Sequence, residues 1–258
     1  MAWNPMTGVL GGAAAGADAV VNLAGASIAG GRWSAKRKSV LRWSRVATTR
    51  LLVTALAKMN ARPKVLVSAS AIGYYGDRGE EGLTEESASG SDFLAGLCRE
   101  WEAEASKAEA LGIRVVLARL GIVLAGEGGA LPKMMLPFRF FAGGKTGSGK
   151  QWMSWVALED VVGILRYAIE NRAIRGAVNV VAPQPLRNAE FTEILARAMH
   201  RPALFPAPAF ALRLALGEMA DALLLSSQRV TPSRLKQLGY KFLHPDLSNA
   251  LAAALKTK

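Results

Sequence analysis

The sequence predicts an α/β fold: a Rossmann-like, doubly wound parallel sheet followed by a helical C-terminal region. The first observation behind this prediction is that residues 19–25 are apolar or small at nearly every position and end in Ala24 and Gly25. A strand that is apolar on both faces is typical of a parallel sheet covered by helices on both sides. The second observation is that further apolar segments alternate with helical ones, as right-handed βαβ crossovers require.

The remaining elements follow in a regular order. Strands are predicted at short apolar segments bounded by glycine, proline or polar residues, at residues 64–68, 113–117, 119–124, 152–156 and 178–181. Helices are predicted where charged and apolar positions mix over longer segments, at residues 32–58, 93–111 and 159–170. From Asn188 the chain is almost wholly helical, so we divide it into a Rossmann-like domain, residues 1–186, and a helical domain, residues 187–258.

Composition and charge limit the classes of protein. With 258 residues, 51% of them hydrophobic, the chain can bury a full core. Its net charge of +12 favours acidic partners such as nucleotide phosphates, nucleic acid or an anionic surface. A single cysteine, Cys98, excludes an internal disulfide and predicts a reducing compartment such as the cytoplasm. Because the chain also has only two histidines, no metal site is expected.

We expect a soluble protein. The start of the chain lacks the basic residues and compact apolar segment of a secretory signal. The most apolar stretch, residues 207–225, contains Arg213, Glu218 and Asp221. These charges favour a buried or amphipathic helix pair over a membrane span.

Residues 144–150 contain the glycines and the lysine of a phosphate-binding loop. The position after Lys150 is Gln151, however, where a serine or threonine would ligate magnesium. A tryptophan-rich segment then follows where a helix should begin. We therefore interpret this segment as a flexible basic loop near a substrate pocket.

A basic segment with interleaved tryptophans raises the alternative of nucleic-acid binding. Its cations are Arg32, Lys36, Arg37, Lys38, Arg42, Arg45 and Arg50. No nucleic-acid motif accompanies them. We favour a helix face that lies over the sheet, with one or two cations reaching a cofactor cleft, and do not expect nucleic acid as the partner. Steeply salt-dependent binding to DNA or RNA would indicate the alternative.

Residues 68–76 place two hydroxyl groups at the end of a predicted parallel strand and two phenols on the loop that follows. Open α/β sheets hold their ligands at this edge. A hydroxyl such as that of Ser70 can hydrogen-bond a substrate oxygen, and a tyrosine such as Tyr74 can act as an acid or a base. Strand-end capping by serine and packing by tyrosine explain the same residues equally well.

The segments that carry a family resemblance extend over essentially the whole chain. They are residues 20–25, 44–49, 67–76, 92–102, 119–124, 143–160, 179–183 and 216–230. Together they resemble the extended, nucleotide-sugar-epimerase-like branch of the short-chain dehydrogenase/reductase superfamily, and more narrowly its atypical family with a conserved helical C-terminal domain. The resemblance implies an NAD(P)-binding fold whose cofactor, NADP in preference to NAD, lies across the carboxyl ends of the strands.

The resemblance also implies roles for individual residues. The active-site hydroxyl would belong to Ser70, with Tyr74 beside the substrate. The substrate side would further include Trp152, Trp155 and Lys150. The cofactor-binding residues would be Leu23, Ala24, Gly25, Arg45, Ser68, Arg119 and Val123.

Two departures from the family pattern matter. The Tyr-x-x-x-Lys pair of the superfamily falls in register on Phe93 and Leu97, so the usual tyrosinate route is not expected. The glycine-rich loop after the first strand, which would hold the cofactor pyrophosphate, has no counterpart. We therefore expect an N-terminally truncated sheet whose edge at residues 20–23 is exposed. Such an edge favours pairing with another chain, as in a homodimer.

The function predicted from these residues is an NAD(P)-dependent oxidoreductase or epimerase that acts on a small hydroxylated substrate, which includes nucleotide sugars. The alternative is a non-catalytic protein that uses the same fold to sense a nucleotide or to bind a partner. The absent Tyr-x-x-x-Lys pair favours the alternative, whereas Arg45, Ser70 and Tyr74 favour the enzyme.

Overall fold

Strands and helices alternate along the first two thirds of the chain, and helices predominate after them. The computed structural model describes Asn4 and residues 16–256. The strands of this part are β1 (Ala19–Asn22), β2 (Val65–Ala71), β3 (Gly82–Leu83), β4 (Arg114–Leu120), β5 (Ile122–Leu124), β6 (Trp152–Met153), β7 (Trp155–Ala157), β8 (Gly176–Val180), β9 (Leu186–Arg187) and β10 (Arg229–Val230).

The helices extend over most of the predicted segments. A π-helical turn, Trp43–Ala47, joins the first two of them, so that residues 35–57 are continuously helical as the sequence predicts. The α-helices of the described residues are α1 (Ala35–Arg42), α2 (Thr48–Ala57), α3 (Phe93–Ser106), α4 (Leu131–Arg139), α5 (Leu158–Glu170), α6 (Asn188–Met199), α7 (Ala209–Leu216), α8 (Glu218–Ala220), α9 (Ser233–Gln237) and α10 (Leu247–Lys256).

The main sheet is parallel and has the strand order β1-β2-β4-β8. Its register pairs Asn22 with Ser68 and Ser70 with Arg119, so the polar residues at the strand ends lie side by side. In the described residues β1 pairs with β2 alone and is an edge strand, on which Val21 is 41% exposed. The prediction of a Rossmann-like parallel sheet is confirmed. The expectations for the segment before residue 16 lie outside the described residues, apart from Asn4.

Helices cover both faces of this sheet because consecutive strand residues point to opposite sides. On one face Leu66 of β2 packs in a cluster with Leu56 of α2 and Ala105 of α3. On the other face Val67 of β2 packs in a cluster with Ile164 of α5. These three layers are the doubly wound arrangement that the apolar strands predict. Among residues 16–256, no helix combines the length and the apolar character needed to cross a membrane.

The region that begins at β9 is tied to the preceding region by backbone pairing. Strand β10 runs parallel to β3, and β9 pairs antiparallel with β6. The segment predicted to be a flexible loop is also held, since Gly143 O accepts from Phe205 N–H at 3.0 Å and Gly147 N–H donates to Ala207 O at 2.9 Å. The division of the chain at residues 186 and 187 stays a prediction.

Asp160 in the first turn of α5 fixes the segment that leads into α10. Its side chain is 0% exposed. Its Oδ1 accepts the backbone N–H of Leu243 at 2.8 Å, and its Oδ2 accepts that of His244 at 2.9 Å. Both carboxylate oxygens are therefore used to order the same turn of the chain.

Replacing Asp160 with asparagine is expected to lower the free energy of unfolding by about 2 kcal/mol, because an amide nitrogen cannot accept one of the two N–H groups. Urea-induced unfolding measures the change. The exposed neighbour provides the control: Glu159→Gln is expected to change the free energy by less than about 0.5 kcal/mol. Equal stability of the two variants would contradict the role given to Asp160.

Candidate cofactor cleft and buried polar network

The candidate site lies at the edge of the sheet where the parallel strands end. The loops after β1 and β2 and the last residues of β4 meet there, because these three strands are adjacent and parallel. Ligands of open α/β sheets bind outside this edge. The predicted residues that the structure brings to it are Leu23, Ala24, Gly25, Ser68, Ser70 and Arg119. Their roles there stay predictions.

Asn22 anchors the loop that follows β1. Its Nδ2 donates to Thr49 Oγ1 at 2.9 Å and to Ser68 Oγ at 3.4 Å, and its Oδ1 accepts the N–H of Ala24 at 3.3 Å. The loop itself is accessible, since the side chain of Leu23 is 57% exposed. The loop backbone is therefore held from the sheet side and open on the other. Ser68, which was predicted to bind cofactor, is 0% exposed and supports this anchor.

Arg45 lies against the same loop. Its Nη2 donates to Ala26 O at 3.0 Å, and its Cζ lies 5.3 Å from the ring centroid of Trp101. A Cβ atom at Gly25 would come within 3.1 Å of Arg45 Cζ, so glycine lets the guanidinium pack on the loop backbone. Burial lowers the pKa of Arg45. The structure thus places a half-buried cation beside the loop at which the sequence predicts a cofactor.

A buried ion pair joins β4 to α3. Arg119 Nε and Nη2 donate to the two carboxylate oxygens of Glu102, each at 2.9 Å, and the residues are 4% and 8% exposed. Although burial opposes the charged form, the hydrogen bonds and charge of Glu102 raise the pKa of Arg119. Ser70 donates its hydroxyl proton to Glu102 Oε1 at 2.6 Å. Ser70 is thus a member of this cluster, and its predicted role toward a substrate stays a prediction.

The ion pair continues into a chain of hydrogen bonds that reaches β8. Arg119 Nη1 donates to Tyr75 Oη at 3.0 Å, and Tyr75 Oη donates to Asn179 Oδ1 at 2.7 Å. Burial raises the pKa of Tyr75 to about 12, so this phenol stays protonated at neutral pH. Glu85 Oε1 then accepts the N–H groups of Asn179 at 3.1 Å and Arg234 at 3.3 Å. Sequence reasoning missed Glu102, Asn179 and Glu85, and it included Tyr75 only as the second of two phenols, without a role of its own.

Tyr74 borders this network and remains partly exposed. The Cζ atom of Arg119 lies 3.5 Å from its ring centroid, and its ring meets that of Tyr75 edge-on at 5.3 Å. Of the two side chains predicted to be catalytic, Ser70 is 2% exposed. Tyr74 is therefore the one that presents an accessible part to a ligand.

Trp152, which is partly buried, and Lys150, which is exposed, belong to one polar cluster. The guanidinium carbons of Arg187 and Arg229 lie 4.2 and 4.7 Å from the ring centroid of Trp152, and Trp152 Nε1 donates to Glu80 Oε2 at 3.0 Å. The backbone oxygen of Lys150 accepts from Arg187 Nη1. These contacts order the cluster, and its proximity to a substrate stays a prediction.

The structure contradicts the expectation that Trp155 lines a substrate pocket. Trp155 is 0% exposed and lies in an apolar cluster with Leu124, Phe191 and Leu251. It is enclosed because β7 pairs with β5 and is covered by α10 and neighbouring helices. A side chain enclosed in this way contributes to the core. Val123 of β5 is partly exposed, and its predicted role at the nicotinamide stays a prediction.

A cleft of about 230 Å³ opens between the Rossmann-like region and the segment around α7 and α8. Its walls combine aromatic and charged side chains, among them Trp33, Asp77, Asp92, Phe93, Arg213 and Asp221. Sequence reasoning proposed none of these as substrate contacts. One sequence signal could have identified Phe93. In the alignment with the Tyr-x-x-x-Lys pattern of the superfamily, Phe93 occupies the position of the active-site tyrosine.

Helix α3 presents Phe93 to this cleft from its first turn. The Asp92 carboxylate caps the helix by accepting the N–H of Ala95 at 2.8 Å. The Phe93 ring meets that of Trp33 at 5.3 Å, and Lys38 Nζ lies 4.9 Å from the Phe93 centroid. The helix thus contributes a phenyl ring where the superfamily pattern has a phenol.

Several cations of the basic segment pair with carboxylates of neighbouring helices. This arrangement explains part of the charge run as packing between α1 and α2 on one side and α3 and α8 on the other. The pairs are Lys38 with Glu218 at 2.5 Å, Arg42 with Glu100 at 2.7 Å, and Arg50 with Glu104 at 2.7 Å.

Two family models match the chain. The NAD dependent epimerase/dehydratase family matches residues 11–181, and a domain of unknown function, DUF1731, matches residues 207–254. The second match falls on the helical region predicted to follow the Rossmann-like region.

Individual proteins match over most of their length. An epimerase family protein of Mycobacterium leprae is 43% identical over 253 residues, which are 98% of this chain and 82% of that protein. The epimerase family protein YfhF of Bacillus subtilis is 45% identical over 236 residues, 91% of this chain and 77% of that protein. The crystal structure of human epimerase family protein SDR39U1 (isoform 2) with NADPH superposes with a TM-score of 0.89 at 33% identity, covering 98% of this chain and 85% of that one.

Glu102→Gln is expected to destabilise the protein by about 3–5 kcal/mol, because the substitution leaves the Arg119 cation buried without its counter-ion. Urea-induced unfolding at pH 7 measures the loss. Glu100→Gln is the matched control on the same helix, since Glu100 pairs with Arg42 at the surface. The ion pair would not be the stabilising contact if both variants lost the same free energy.

The raised pKa of Tyr75 leads us to expect a specific loss of folding stability at high pH. Burial raises its pKa from the ordinary tyrosine value of about 10 to about 12 in the folded protein, so the unfolded chain releases the proton first. The stabilisation is complete below pH 10 and falls as the pH rises toward 12. We expect the difference in unfolding free energy between the wild type and Tyr75→Phe to shrink by about 1 kcal/mol between pH 9 and pH 11. A constant difference would contradict the shift.

Proposed function

The chain belongs to the NAD dependent epimerase/dehydratase family, and from that premise we propose that it is an NAD(P)-dependent oxidoreductase or epimerase acting on a small hydroxylated substrate. The observation that carries the proposal is the open loop after β1, which the half-buried Arg45 flanks at the carboxyl edge of the sheet. NADPH is the preferred cofactor, because the human relative was crystallised with it.

The residues at this edge fit a dinucleotide. Ala24 and Gly25 carry no bulky side chain, so a ligand can approach the loop backbone. Arg45 offers N–H donors and positive charge to a phosphate. In this proposal Leu23 belongs to the same wall, the buried Ser68 supports that wall from within through Asn22, and Arg119 and Val123 border the nicotinamide end.

When it is bound, the nicotinamide cofactor supplies hydride transfer. With the cofactor bound, the Tyr74 hydroxyl would donate a proton to the substrate oxygen in the direction of reduction and would accept it in the direction of oxidation. Ser70 acts as a positioning residue: it holds Glu102, which holds Arg119 against the Tyr74 ring. Trp152 and Lys150 approach the far end of the substrate in this proposal, and a cytoplasmic homodimer is its expected form.

A second candidate function is nucleotide binding without turnover. It is favoured by Phe93, because this residue lines the cleft from the first turn of α3 and carries no exchangeable proton. The cofactor would then act as a ligand that is sensed, and the same loop would bind it.

The test combines binding with turnover. We expect NADPH to bind, as measured by its fluorescence, and to be oxidised in the presence of a panel of small aldehydes, ketones and keto sugars. Tyr74→Phe is expected to lower turnover about 100-fold or more, with NADPH affinity within about threefold of the wild type. Tyr167→Phe, far from the strand ends, is the control.

The outcomes separate the candidates. Binding of NADPH or NADH without oxidation of either by any substrate favours the sensing function. A Tyr74→Phe variant with wild-type turnover would remove Tyr74 from the mechanism. Failure to bind either dinucleotide would contradict both functions.

A further inference from the structure

Two arginines from one helical segment contact the same part of the loop after β1. Arg37 of α1 donates through Nη2 to Ser27 O, and Arg45 of the following π-helical turn donates through Nη2 to Ala26 O at 3.0 Å. Their acceptors are carbonyl groups of consecutive residues. The two guanidinium groups therefore converge on one short stretch of backbone at the carboxyl edge of the sheet.

Glycines allow this close approach. A Cβ atom at Gly30 would lie 2.6 Å from Arg37 Nη2, and one at Gly25 would lie 3.1 Å from Arg45 Cζ. Side chains at these positions would push the guanidinium groups away from the loop. The loop is thus built to accept two cations along its backbone.

Neither guanidinium forms an ion pair with a carboxylate in the described part of the chain, although three other cations of the segment do. Arg37 Nε is buried and has no hydrogen-bond partner among these residues. Burial lowers the pKa of Arg45, and the neighbouring charge of Arg37 acts in the same direction. Two nearby like charges without a counter-ion are unfavourable, and a bound anion would offset the repulsion.

Both residues are also reachable. Arg37 and Arg45 are each partly exposed, and the adjoining Gly25 and Ser27 are exposed. Guanidinium groups present planar arrays of N–H donors that match phosphate oxygens, which makes a phosphate ester the anion of best chemical fit.

We infer that Arg37 and Arg45 together form a two-guanidinium site that binds the phosphate groups of a dinucleotide, an inference that rests on the proposed function. Both guanidinium groups come from the helical segment that follows β1, Arg37 from α1 and Arg45 from the π-helical turn. Arg37 is its new member.

The first experiment tests the site without the cofactor. Inorganic pyrophosphate at millimolar concentration is expected to raise the melting temperature of the wild type, relative to sodium sulfate at equal ionic strength. Arg37→Gln is expected to lose this shift. Arg42→Gln is the matched control, because it removes one positive charge from the same segment at an arginine that already pairs with Glu100. No shift in the wild type, or the same shift in Arg37→Gln as in the control, would overturn the inference.

The second experiment titrates NADPH and NADH by fluorescence. Arg37→Gln and Arg45→Gln are each expected to weaken binding about tenfold or more, and Arg42→Gln less than twofold. An equal loss for both dinucleotides supports contact with the pyrophosphate, and a loss for NADPH alone supports contact with its 2′-phosphate. Affinities within twofold of the control for both arginine variants would overturn the inference and leave the proposed function standing.

The design separates the two proposals and guards against misfolding. A wild type that binds neither dinucleotide contradicts the proposed function, while the pyrophosphate shift still tests the arginine site. Circular dichroism reports whether Arg37→Gln folds. If it does not, Arg37→Lys carries the test: it is expected to bind NADPH severalfold more weakly than the wild type, because an ammonium cannot form two parallel hydrogen bonds. Wild-type affinity in that variant would overturn the inference.

Discussion

The ion pair between Arg119 and Glu102 is the contact on which the rest of the site depends. Burying two charges is costly unless each finds its partner in good geometry, and here the pair is bidentate, with Ser70 and Tyr75 completing its hydrogen bonds. Arg119 comes from β4 and Glu102 from α3, while Ser70 comes from β2 and Tyr75 from the turn after β2. These four residues together fix the edge of the sheet at one position. The ring of Tyr74, whose centroid lies 3.5 Å from Arg119 Cζ, is therefore held against a rigid surface.

Much of the fold could be predicted because the information is local. The apolar segments of β2 and β4 and the capped start of α3 at Asp92 follow from side-chain type and spacing within a few residues. Parallel order then brings the strand ends together, which is why the sequence located Arg119, Ser70 and the loop after β1 at one edge. The family resemblance added the cofactor and a register for Phe93.

The rest depends on contacts between distant residues, which no local pattern encodes. Ser70 hydrogen-bonds a residue 32 positions away. Tyr75 hydrogen-bonds a residue 104 positions away. Trp155 illustrates the same limit, because two tryptophans beside a glycine-rich segment resemble a ligand wall. The pairing of β7 with β5 instead leaves Trp155 fully buried, whereas Trp152 is only partly buried. The basic segment illustrates it too, because its cations look alike in the sequence. In the structure Arg42 pairs with Glu100, whereas Arg37 has no carboxylate partner among the described residues.

The pairing of β10 with β3 has a consequence for how the molecule comes apart. The two family models divide the chain near residues 181 and 207, but Thr231 donates to Leu83 O at 2.9 Å and the N–H of Arg234 donates to Glu85, itself bound to Asn179 of the central sheet. Hydrogen bonds therefore connect the regions matched by the two family models, and one of them ends at Glu85 in the buried polar network. Loss of the C-terminal helices would take the Thr231 donor from Leu83 O and the Arg234 donor from Glu85, so both regions should unfold in a single cooperative transition rather than one after the other.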